Sequence, residues 1–227
     1  MSLQQAQQRL RKGTGASSGV MDSPGLGAMY DLLAAREDKL LVLNAGPVWQ
    51  SLADYLFQFN CRIYVLDCFE ELLGAPKPPE GEGPDEDEEQ TEPPLPPALV
   101  ELTQKHKFDL VLLWDFLNFL DHRRIIRAID QVSKGCKEDS LLYFYTTLRG
   151  EMPAAPSRME FMQNEQLEYI PLTDEALVSP DYGTQQLLDM MPGFSIKKLS
   201  MIGNGRLQEN LFKFEQYRKP PDANVLR

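Results

Sequence analysis

From residue 38 onward the apolar side chains alternate between two periods. Residues 39–44, KLLVLN, are an uninterrupted apolar run, as expected of a strand buried on both faces. Over residues 48–59, Val48, Leu52, Tyr55, Leu56 and Phe59 share one helical face. Residues 62–66, RIYVL, are β-branched and aromatic, and predict a second strand that ends at Asp67. A short helix over 98–106 precedes FDLVLLW at 108–114, the most apolar strand and so the expected centre of the sheet. Asp121 is placed to cap a helix in which Ile125, Ile126, Ile129 and Val132 repeat at helical spacing until Gly135 ends it. SLLYFYTT at 140–147 is the next strand. Strands and helices in this alternation predict a parallel sheet with right-handed crossovers.

The last third of the chain changes pattern. Residues 194–201 and 207–216 alternate in polarity on either side of Gly203-Asn204-Gly205, a hairpin signal, so the sheet is expected to finish antiparallel. A further hairpin is predicted over 159–170 around Asn164, followed by a helix over 182–191 that Pro192-Gly193 stops.

Composition adds two segments without a core. Residues 74–97 contain eight prolines, eight acidic residues from Glu80 to Glu92, and one base, Lys77. That segment carries −7 of the chain's net −11 and leaves −4 on the remainder, so an acidic disordered insertion is attached to a near-neutral body. Residues 1–37 read as a flexible tail or lid: a short polar helix over 2–12, then a Gly/Ser-rich stretch that no strand precedes, as a phosphate-binding loop would require. The body is thus expected over 38–216, with a tail at 217–227. No basic stripe interleaved with aromatics is present, which argues against nucleic acid as substrate. Cys61, Cys68, Cys136, His106 and His122 have no zinc-site spacing, so no metal is expected, and the odd cysteine count argues against a disulfide framework. With no signal-peptide run and no stretch of about 18 apolar residues, the chain reads as cytoplasmic, without a membrane partner.

Parallel strand-helix units that close with a helix, a Gly-Phe step and an antiparallel hairpin resemble the class I S-adenosylmethionine-dependent methyltransferases over about residues 38–216. The resemblance implies a Rossmann-like α/β fold and S-adenosyl-L-methionine as cofactor. Leu40 to Val48 (LLVLNAGPV) occupies the place where that family has an acid followed by a glycine-rich turn; here Asn44 stands for the acid and Gly46 matches the first glycine. Asn44, Ala45 and Gly46 are then expected to contact the cofactor, although Gly46 and Pro47 would equally shape a plain strand-to-helix turn. Asp67, with Cys68 beside it, stands where ribose hydroxyls are read, about 20 residues past the turn; capping the helix that follows is the other use of such an acid, and Glu70 is a second candidate. The family's third strand would fall between Leu73 and Phe108, where the acidic insertion lies.

The segment from Asp115 to Leu120, Asp-Phe-Leu-Asn-Phe-Leu, is similar to the acid, variable, Leu, polar, His, Leu segment of many small-molecule methyltransferases, with Phe119 in the histidine position. The resemblance places Asp115 and Asn118 at the methyl-transfer end of the cleft, and Asp115 near the cofactor. Trp114 and Phe116 read as core or cleft wall. Tyr143, Tyr145 and Thr147 are candidates for the same cleft, with Arg149 and Arg158 for an anionic substrate. No Asn-Pro-Pro-aromatic or Pro-Cys segment is present. Two functions follow: a methyltransferase acting on a small molecule or protein, or a degenerate relative that binds a protein partner through the acidic residues 80–92. A nicotinamide oxidoreductase is disfavoured, because no Gly-x-Gly-x-x-Gly turn follows Leu43.

Overall fold

The computed structural model describes residues 19–69, 71 and 95–220. The polar helix expected over 2–12, the acidic residues 80–92 and the end of the C-terminal tail lie outside the described residues. In chain order the elements are β1 (Gly19–Asp22), α1 (Pro24–Ala34), β2 (Leu40–Asn44), α2 (Gln50–Leu56), β3 (Cys61–Val65), α3 (Pro97–Lys105), β4 (Phe108–Trp114), a 3-10 turn (Phe116–Phe119), α4 (His122–Lys134), β5 (Cys136–Thr147), β6 (Glu151–Pro153), β7 (Arg158–Phe161), β8 (Gln166–Ile170), β9 (Ala176–Val178), α5 (Thr184–Met190), β10 (Phe194–Ile202) and β11 (Leu207–Phe214).

Six of the described strands form the central sheet, in the order β10-β11-β5-β4-β2-β3. β2, β3, β4 and β5 pair parallel, and β11 pairs antiparallel with both β5 and β10, so only β11 runs against the rest. This is the Rossmann-like, mostly parallel sheet with an antiparallel C-terminal hairpin that the sequence pattern implies. β3 is the edge of the sheet among the described residues.

β4 is buried along its whole length because it lies between β2 and β5 with helices on both faces. Its alternation divides the core in two. Val111 and Leu113 join Leu99 of α3, Ile125 and Ile129 of α4 and Leu187 of α5 on one face, while Leu110, Leu112 and Trp114 join Leu26 of α1, Leu52 of α2 and Met159 of β7 on the other. The exception within β4 is Asp109, a buried carboxylate that is paired with Arg36 (3.1 Å) and Lys137 (2.7 Å) and accepts the Leu41 N–H (2.8 Å). Asp121 caps α4 as expected, accepting the Arg124 N–H at 2.9 Å.

Two expectations are corrected. Residues 19–34 are not a flexible tail: β1 pairs antiparallel with β8, and α1 buries Leu26, Met29 and Leu33 against the sheet. Pro24 at the first helical turn pre-sets the backbone there, and the three apolar residues lie on one helical face, a signal that the surrounding Gly and Ser obscured. β5 also begins at Cys136 rather than at 140, because its first turn of chain is the polar Lys-Glu-Asp with Asp139 at φ 62°.

α1 is fastened by one buried group. Glu209 of β11, 0% exposed, accepts hydrogen bonds from the Ser23 and Tyr143 hydroxyls and from the Gly25 N–H (2.7 Å) at the start of α1, where a carboxylate also complements the helix dipole. A Cβ at Gly25 would stand 2.5 Å from the Glu209 carboxyl carbon. Gly25→Ala is therefore expected to cost about 1–3 kcal/mol of stability through overpacking, read as a lower urea midpoint at unchanged slope. A wild-type midpoint would show that Glu209 does not hold the helix.

Candidate functional site

β2 ends at Asn44, between the ends of β3 and β4, where parallel α/β sheets present their ligand crevices. Asn44 is fully buried, and its amide is used internally. Nδ2 donates to the carbonyls of Gly46 (2.6 Å) and Pro47 (3.3 Å), and Oδ1 accepts the Trp114 indole N–H (2.7 Å). A carboxylate here would have no proton to offer those two carbonyls, which gives the physical reason for an amide. The turn that follows needs Gly46, whose φ is +146°. Trp114 itself sits at φ 52°, a left-handed backbone that a bulky residue adopts only under constraint, here from its bond to Asn44.

Beside this turn lies a cavity of about 590 Å³. Its floor comes from the ends of the three strands: Ala45, Gly46 and Pro47 after β2, Asp67 and Cys68 after β3, and Trp114, Asp115 and Phe116 at the end of β4. Trp49, Phe69, Glu71 and Leu172 add walls, and Ala155, Pro156 and Ser157, from the segment that leads into β7, approach together with Met159 of β7. Three carboxylates, Asp67, Glu71 and Asp115, border the space, and no Lys, Arg or His does among the described residues. Asp67 and Asp115 follow the strands on either side of β2, so the strand ends that carry them are two strand spacings, roughly 10 Å, apart.

Asp115 is held through one of its carboxylate oxygens. Its Oδ2 accepts the Ser157 N–H at 2.8 Å, whereas Oδ1 has no partner. Burial pushes its carboxyl up from 3.8 to about 6, opposed by the bonds from Ser157. The Ser157 hydroxyl is near enough to the Asp115 carboxylate and the Tyr169 hydroxyl to lower both pKa values, yet it makes no hydrogen bond of good geometry. Cys68 lines the cavity, but burial, then the charges of Glu71 and Asp67, push its thiol up to about 12, so it is no nucleophile near neutral pH.

Of the residues singled out in the sequence, Ala45, Gly46, Asp67, Cys68 and Asp115 meet at this cavity, and Trp114 and Phe116 form its wall. Asn44 and Asn118 are not on its surface. Asn118 accepts the Thr147 N–H (2.9 Å) and donates to the carbonyls of Asp115 (2.9 Å) and Tyr145 (3.3 Å), joining the ends of β4 and β5. Tyr143 and Tyr145 are fully buried beside Glu209, and Thr147 borders a second hollow of about 710 Å³ near the β10–β11 turn. Arg149 lines neither space; the Arg158 guanidinium lies 4.6 Å from the Trp49 ring centre and pairs with Glu160. Glu70 lies outside the described residues. Ser157, Trp49, Phe69 and Met159 went unnoticed in the sequence; the one local hint was the predicted hairpin that carries Met159.

Solved structures of methyltransferases are similar to this chain. The magnesium protoporphyrin IX methyltransferase (ChlM) of Synechocystis PCC 6803, with bound S-adenosylmethionine, is 14% identical over 85% of this chain and 79% of its own, with a TM-score of 0.48. The 1,6-didemethyltoxoflavin-N1-methyltransferase of Burkholderia thailandensis, with bound 1,6-didemethyltoxoflavin and S-adenosylhomocysteine, is 11% identical over 86% and 77%, at 0.46. The N-methyltransferase NodS of Bradyrhizobium japonicum WM9, with S-adenosylhomocysteine, is 11% identical over 84% and 86%, at 0.45. No family model and no curated protein matches the chain.

Because folding raises the pKa of Asp115, the native state binds its proton more tightly than the unfolded chain, and stability falls as pH rises from about 4 through about 6. The change from 3.8 to about 6 is worth about 3 kcal/mol. Asp115→Asn, neutral throughout, is expected to gain that amount over the wild type between pH 4 and pH 8 in urea denaturation. A difference that stays flat with pH would show that the carboxylate is not desolvated.

Proposed function

We propose that this chain is an S-adenosylmethionine-dependent methyltransferase acting on a small molecule. The observation that carries the reading is the cavity at the ends of β2, β3 and β4, bordered by three carboxylates, four aromatic rings (Trp49, Phe69, Trp114, Phe116) and no base among the described residues. Such a surface attracts a cation by charge and through the faces of the rings other than Trp49, which already carries the Arg158 guanidinium. Its volume lies within the range of about 300–1,000 Å³ common to ligand sites.

The residues present fit this cofactor. Asp67, after the second parallel strand, is positioned to accept hydrogen bonds from ribose hydroxyls. Ala45, Gly46 and Pro47 border the same space, and Gly46 adds no side chain to it. When bound, S-adenosylmethionine supplies an electrophilic methyl group on a sulfonium. The chain's own part is to orient the acceptor and to keep water out; the roof of Ala155, Pro156, Ser157 and Met159 serves the second purpose. Asp115 lines the cavity and burial pushes its carboxyl up to about 6, so it is the group there that would take up a proton. Asn118 is a positioning residue, since it fixes the main chain of Asp115 and of Thr147.

A degenerate interaction module would require the turn after Asn44 to be closed by side chains. The open space beside that turn favours the enzyme.

Both tryptophans of the chain, Trp49 and Trp114, line the cavity, so intrinsic fluorescence reports its occupancy. S-adenosylhomocysteine is expected to give a saturable change, and Asp67→Ala to weaken it by about tenfold or more, the size of a lost charge-assisted hydrogen bond. Folded protein that shows neither a fluorescence change nor heat at millimolar S-adenosylhomocysteine would end this reading.

A further inference from the structure

The outward side of α4 carries three arginines within five residues. Arg123 is exposed and Arg124 and Arg127 are partly exposed, while Ile125, Ile126 and Ile129 turn to the core. Arg123 and Arg127 are one helical turn apart, so they stand side by side on the same face. Arg124 also pairs with Asp121 at 3.5 Å.

The most acidic stretch of the chain is tethered beside this face at both of its ends. Ahead of it, the Phe69 ring packs edge-on against Phe116 and Phe119, with ring centres 5.7 and 5.1 Å apart, and Phe119 is four residues before Arg123. Behind it, Leu95 packs against the core that Ile125 and Ile129 share, and α3 begins at Pro97. α3 and α4 each lead into a strand of the parallel pair β4 and β5, so the two helices run in the same direction. Thr103 of α3 accepts a hydrogen bond from Gln131 of α4 (2.6 Å); Pro97, six residues before Thr103, therefore stands level with Ile125, six before Gln131. Glu92 is three residues from Leu95, a reach of about 10 Å at most, and Glu80 is nine residues from Glu71, about 30 Å at most.

The charges on the two parts are complementary. Residues 80–92 contain eight acids and no base. A guanidinium fork matches a carboxylate with two parallel N–H donors. A single exposed ion pair contributes little, but several in one network add up. Tethering also makes the encounter intramolecular, at an effective concentration on the order of millimolar, which a separate polyanion would have to overcome.

We propose that the acidic residues 80–92 dock in cis on Arg123, Arg124 and Arg127 of α4. Held there, the acidic run is withheld from other partners and occupies the arginine face against competing anions. The contact is independent of the methyltransferase reading.

A zero-length carbodiimide cross-link in the full chain carrying Arg127→Lys tests the contact directly. Mass spectrometry is expected to find the introduced amine joined to an acid within residues 80–92, in a yield that falls as salt screens the pairing. A fluorescein-labelled peptide of residues 80–92 gives the second test. By anisotropy it is expected to bind a full-length variant whose eight acids are changed to their amides, and to bind the wild type at least about tenfold more weakly, because the wild type's own run competes. Adding Arg123→Gln, Arg124→Gln and Arg127→Gln to the amide variant is expected to weaken the peptide about tenfold or more, with the urea midpoint reporting that the fold is kept. Equal binding to wild type and amide variant would assign the arginines to an acidic partner outside the chain and overturn docking in cis. No binding to the amide variant, unchanged binding after the arginines are replaced, or cross-links that never reach residues 80–92 would overturn it as well.

Discussion

The side-chain amide of Asn44 is the constraint on which the site depends. It is wholly buried at the end of a parallel strand, and three hydrogen bonds occupy it: two hold the turn through Gly46 and Pro47, and one fixes the indole of Trp114 from the neighbouring strand. Because the amide both donates and accepts, it ties two strand ends together without placing a charge in the core. The carboxylates that give the cavity its character can then stand just past the adjacent strands, in its lining.

The helices cover both sides of the sheet but leave its carboxyl edge to loops, and this is where the cavity forms. Asn118 and Asp109 hold the two ends of the most buried strand in different ways. Asn118 binds main chain at the cavity end, while Asp109 is neutralised by Arg36 and Lys137 near the other end. Asp109 is thus fully partnered, whereas Asp115, just past β4, keeps one buried oxygen without a hydrogen-bond partner.

The sheet and its hairpin were legible in the sequence because their signals are local: β4 is apolar from end to end, α4 repeats isoleucine at helical spacing, and Gly203-Asn204-Gly205 marks a turn. Asp67 and Asp115 could be found for the same reason, as acids that end strands. Asn44 was placed correctly along the chain, but its partners were not foreseeable, since Trp114 is 70 residues away. Ser157 and Trp49 reach the cavity through long-range packing of loops that carry no periodic pattern. α1 was hidden by its Gly- and Ser-rich setting, although Leu26, Met29 and Leu33 have helical spacing.

The link between Gly25 and Glu209 spans 184 residues of sequence. During synthesis α1 is made 184 residues before the carboxylate that receives its N-terminus. At about 5–20 residues per second, Leu26, Met29 and Leu33 wait roughly 10–40 s for their final neighbours. Residues of β2 and α2, which follow at once, share the core of that apolar stripe, so the late carboxylate secures a helix whose face is already partly covered.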